Sequence, residues 1–199
     1  RGNILLSGAA ADFTSGGGNV TLTSDSDGTS SGNISMADGS FIDAGGGTIA
    51  LSSYGNLGLG LLVTTNATAA AVGISSTNGA IIDVNTAGDD IVAAGTATLS
   101  SAGSIGNISG GTGDVTGAAV DPVEVDVAAV NVTAAGAGSE IALTKTAAGL
   151  LTITGLDLGT GATGYALISA TNNLTVSAMS VANADNIGLV STAGTLTVP

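Results

Sequence analysis

The chain has 199 residues, 44% of them hydrophobic but only 2% aromatic, with 15 acidic side chains against two basic ones and a formal net charge of −13. It has no Cys and no His, so a disulfide framework, a thiolate zinc site and an imidazole base are all excluded. The acidity repels nucleic-acid phosphates and anionic membrane surfaces.

An aliphatic chain without large rings suits a thin, elongated core better than a thick spherical one. Its 33 Gly, 21 Ser and 26 Thr accompany too many apolar residues for a disordered segment. In chain order, NILLS (3–7) reads as a short strand, and Val20 and Leu22 flank Thr21 in the next. DSDG (25–28) is an acidic turn, and DGSFID (38–43) and TIALSSYGNLG (48–58) follow. NLGLGLLVTTNATAAAVGI (56–74) is the most apolar stretch, but Asn and Thr interrupt it and make it a poor membrane span.

Self-similarity then becomes the main signal. NGAIID (78–83) repeats DGSFID at an offset of 40, and TATLSSAGSIG (96–106) repeats TIALSSYGNLG at 48. AVNVTAAG (129–136) holds the place of LTITG (151–155). In IALTKTAAGLLTIT (141–154), Ile141 aligns with Tyr165 at 24 and Leu151 with Leu174 at 23. YALISATNNLTV (165–176) and IGLVSTAGTLTV (187–198) align without a gap at 22.

Within each unit apolar residues alternate with Thr, the period of a strand, and Gly, Asn and Asp turns separate the strands. A unit of about 20–24 residues is one coil of a parallel β-solenoid, which hides its inward face only by stacking on the next coil. The expectation is one all-β domain over residues 1–199, with about nine coils. A β-sandwich with hairpins at the DG and NG dipeptides is the competing fold, but it would repeat at about 100 residues. The pattern runs to both ends without a cap. This leads us to expect flanking β-helix of the same chain, or copies stacked end to end.

TLSSAGSIGN (98–107), DPVEVDVAAVNVTAAGAG (121–138) and SEIALTKTAAGLLTI (139–153) resemble the repeat region of filamentous haemagglutinin-like secreted adhesins. The resemblance implies a right-handed, single-stranded parallel β-helix at the cell surface or outside the cell, acting as a structural or adhesive stalk and not as an enzyme. Surface glycans are then the expected outside partners.

Little in the sequence carries chemistry. Asp25/Asp27, Asp89/Asp90 and Glu124/Asp126 are spaced as general acid–base pairs, the basis of the alternative reading as a carbohydrate-active or glycan-binding β-helix on a pectin-lyase-like scaffold. Without basic or aromatic residues to hold a sugar, each pair reads first as a solvated turn. No cofactor is expected beyond calcium. The calcium candidates are Asp25 and Asp27 in DSDG and Asp114 in GGTGDVTG (110–117), a near match to a calcium-binding nonapeptide. Thr-x-Thr pairs recur too irregularly for an ice-binding face. Asn19, Asn33, Asn66, Asn107, Asn131 and Asn173 each open an Asn-x-Ser/Thr triplet, a glycan acceptor in a host that N-glycosylates.

Overall fold

A computed structural model describes residues 2–26, 32–85, 88–108, 119–159, 163–180 and 186–199. Among them there is no helix; short strands follow one another throughout. Alanine runs such as 69–71 end in Gly or a β-branched residue before a helical turn could nucleate. All pairings but one are parallel, and each joins strands roughly one repeat apart. This arrangement fits a β-helix or solenoid.

The pairings form three ladders. The first climbs through Ile4, Ile34, Leu57, Ile81, Ile105, Ile141, Ala166 and Ile187. The second joins Phe13 to Ile42, then Leu62, Ile91 and Val125. The third climbs through Val20, Ile49, Val72, Ala97, Val130, Ile153 and Val176. Beside it runs a second column, inward at Leu22, Leu51, Ile74, Leu99, Val132 and Leu156 and ending at the exposed Met179. One continuous cluster of Val, Ile, Leu, Met and Ala unites these columns, with no ring in it. Burying each large aliphatic there contributes about 1.5–3 kcal/mol, but only if the neighbouring level is in place.

Polar side chains fasten the levels where apolar ones cannot. Asn3, Asn19, Asn56 and Asn173 each stand just before a strand. Their Oδ1 atoms accept the backbone N–H of Asn33, Thr48, Ala80 and Thr195 one level on, at 2.8–3.0 Å. Ser53, Ser76 and Ser101 stack as a buried serine column; Ser53 and Ser101 donate within their own turns, to Gly55 O and Gly103 O, and Ser76 reaches across levels. Ser76 Oγ donates to Gly55 O at 2.8 Å and accepts Gly79 N–H at 3.0 Å. Ser76→Ala strands that half-buried N–H, and urea unfolding is expected to show a loss of about 1–3 kcal/mol.

The repeat at 48 is the true two-level period, because Ile49 stacks on Val72 and Val72 on Ala97. Leu151 over Leu174 at 23 is also kept. The match at 40 is not structural: Phe41–Asp43 lies in the second ladder and Ile81–Asp83 in the first. Both precede a corner, and the shared wording reflects corner chemistry and not stacking.

The 22-residue alignment holds for Leu174 over Leu196. Across Tyr165–Ala170, however, the offset is 21, with Ala166 over Ile187 and Ile168 over Leu189. Likewise Ile141 pairs with Ala166, not Tyr165. A one-residue slip reverses which face a side chain occupies. Leu167 therefore points away from the main core and is buried instead against Ile108 and Ala142, with Tyr165 beside them. This second core exists because 36 residues separate Ile105 from Ile141 on the ladder. Within that excursion Asn107–Ile108 and Ala119–Asp121 form the one antiparallel pair among the described residues.

Candidate functional site

Three carboxyl groups meet at the corner between the first and second ladders. Asp83 ends the strand Ile81–Asp83, Asp90 immediately precedes Ile91–Ser101, and Glu124 lies near the start of Val123–Ala134. The stacking of Ile91 on Val125 sets Asp90 beside Glu124, and the corner folds Asp83 back onto both. One carboxylate oxygen from each lies within 4.8 Å of the others. Asp90 is fully buried and Asp83 nearly so.

Backbone and amide donors hold the group. Asn85 N–H donates to Asp83 Oδ1 at 2.7 Å, and Asn85 Nδ2 donates to Asp90 Oδ1 at 2.9 Å. Glu124 N–H donates to Asp90 Oδ2 at 2.9 Å, and Asp90 N–H returns a bond to Glu124 O at 2.9 Å. Among the described residues, Glu124 Oε2 and Asn85 Oδ1 are buried without a partner.

The electrostatics follow from burial. Loss of solvent, reinforced by the Asp83 and Glu124 charges, pushes Asp90 up to about 10. Burial and then the Asp83 charge push Glu124 up to about 7. Asp83 is raised by burial and, less, by Asp121. Lys145 is the one described basic residue. It is buried and committed to Asp126, with a second bond to Val127 O at 3.3 Å. Chemically the corner is a set of carboxyls that can hold and release protons near neutrality.

Pairs adjacent in sequence are thus split, and groups from three segments are joined. Asp89 lies outside the cluster, nearer Asp126 and Lys145, and Asp126 serves Lys145. The expectation of solvated turns is corrected for Asp90 and Glu124, because stacking draws them into the corner. Sequence reasoning missed Asp83 and Asn85. Asp83 ends NGAIID and ladder register alone brings it to Asp90, so no short motif marked it.

Among the calcium candidates, Asp25 is buried at the end of the third-ladder strand, the one described non-glycine residue with positive φ, at 53°. Asp27 and Asp114 lie outside the described residues. Of the glycan acceptors, Asn19 and Asn173 are exposed with Oδ1 engaged in the inter-level bonds above, and Asn107 and Asn131 are exposed. Asn33 is half-buried. Asn66, also half-buried, accepts Thr68 Oγ1 at 2.6 Å and Thr68 N–H at 2.9 Å. The chain matches no family model, no curated protein and no solved structure.

Proposed function

We propose that the chain is a right-handed, single-stranded parallel β-helix that serves as a rigid structural or adhesive stalk at the cell surface, without catalytic activity. The observation that carries this reading is the unbroken stacking of aliphatic columns from Ile4 to Ile187 and from Val20 to Val176. The right hand is what the resemblance implies, and it is also the usual hand of parallel crossovers. Eight first-ladder levels about 4.8 Å apart extend the core over about 34 Å.

The resemblance to filamentous haemagglutinin-like adhesins supports an extracellular setting, and the acidic, hydroxyl-rich exterior keeps neighbouring rods apart. Phe13 on the first level, and Leu196 and Val198 on the last, are exposed. A further coil, of this chain or of another copy, is what would cover them. In an N-glycosylating host the exposed Asn19, Asn107, Asn131 and Asn173 would carry glycans.

The carboxyl cluster is the one feature favouring the carbohydrate-active alternative, and a single experiment separates the two. The protein is incubated with proteinase K, and separately with pectin and alginate. A stalk is expected to survive as a resistant body cut only at its turns and to leave both polysaccharides intact. Polysaccharide turnover that Asp90→Asn abolishes would favour the enzyme.

A further inference from the structure

We propose that Asp83, Asp90 and Glu124 form a proton-held joint between neighbouring levels: shared protons close the corner between the first and second ladders, and their loss loosens it. The inference does not depend on the stalk reading, because it rests on the corner alone.

The geometry requires a neutralising species. Three carboxyl oxygens lie within 4.8 Å of one another, and three unbalanced charges could not remain together in a site of low dielectric. No described cation balances them, since Lys145 is bound to Asp126 and Val127 O. The other described groups facing the joint are acidic or neutral. Asp121 adds negative charge from the excursion, Thr144 pairs with Glu124 from the next level, and Asn85 contributes an N–H and an amide.

Bonding favours protons over a bound cation as the neutraliser. Both oxygens of Asp90 already accept N–H donors, leaving it a poor ligand, and Asp90 is fully buried beside the Asp83 carboxyl. The joint also carries load in the ladder. Leu62 N–H bonds Asp90 O at 2.7 Å and Asp90 N–H bonds Glu124 O at 2.9 Å, so repulsion among the side chains pulls directly on the bonds between levels.

The sign of the linkage is fixed. These acids are raised in the folded state, so the folded chain keeps protons that the unfolded chain has released. Stability from the joint is complete below the ordinary carboxylate range and is lost progressively as pH rises from there to the folded values, Glu124's share being gone above about 7. Ordinary carboxylates have finished titrating by about pH 5.5, which isolates the joint above that point.

The test is urea unfolding of the full chain from pH 5.5 to 8.5, for wild type, Asp90→Asn and Glu124→Gln. For each proton released, the wild-type unfolding constant is expected to rise up to about tenfold per pH unit, and in both variants the rise flattens. Variants that keep the wild-type slope would overturn the proposal. So would a wild-type slope that millimolar calcium removes and chelator restores, since a cation would then be the neutraliser. If a variant fails to fold, difference infrared spectroscopy of the wild type decides. A protonated-carboxyl C=O stretch persisting at pH 7 supports the joint, and its absence overturns it.

Discussion

Leu99→Asp is expected to unfold the protein, whereas Ser100→Asp, one residue on, leaves stability unchanged within about 0.5 kcal/mol. Leu99 is buried at 1% exposure, stacked between Ile74 below and Val132 above. A carboxylate there has no donor and no cation, and an uncompensated buried charge costs about 3–5 kcal/mol or more. That is a large share of the whole stability of a domain. Ser100 sits on the same strand but faces solvent. Circular dichroism melts of the two variants measure the contrast. Equal effects would mean that the strand does not alternate as the ladders require.

The second large effect concerns backbone approach. The continuous strand Ile91–Ser101 passes from the second ladder to the third through a bulge between Ala93 and Thr96. Gly95 occupies the bend. A Cβ there would lie 2.2 Å from Thr68 O and 2.9 Å from Ala71 Cβ. Thr68 O cannot retreat, because it accepts Thr96 N–H at 3.1 Å. Gly95→Val is therefore expected to lower stability by about 1–3 kcal/mol or more, as overpacking does, and to weaken pairing at this corner. Gly73→Ala is the control. Its Cβ meets nothing within 4 Å, and removing a glycine from a strand is expected to be neutral or stabilising by up to about 1 kcal/mol. Urea midpoints for the two variants check the pair.

Much of the architecture was legible because stacking forces repetition. Thr48 to Ser53 and Thr96 to Ser101 read alike since both fill the same positions two levels apart, down to the buried Ser53 and Ser101. The aliphatic, ring-free core followed from composition. Legibility failed where a second surface intruded. Tyr165–Ala170 is apolar on both faces because the excursion covers its outside, so alternation could not fix the register and the alignment slipped by one.

The carboxyl corner was half legible. Asp90 and Glu124 stood out as members of acidic pairs, but pairing along the chain is the wrong neighbourhood in a stacked fold. The partner of Asp90 is 34 residues away, across the excursion. The interval between levels varies from 21 to 36 residues on the first ladder, and no fixed spacing could have foretold that meeting.

The central claim is that successive returns of the chain pile in register, and spin labels test it most directly. Thr23, Ser100 and Ser180 belong to one outward column, which runs through Ser52, Ser75, Thr133 and Asp157. The chain has no native cysteine, so cysteine pairs can be labelled cleanly. Three levels separate Thr23 from Ser100 and six separate Thr23 from Ser180, so the distances should be about 14 Å and about 29 Å, rising by about 4.8 Å per level. A Thr23–Ser180 distance no longer than Thr23–Ser100, as in two sheets folded against each other, would contradict the stack.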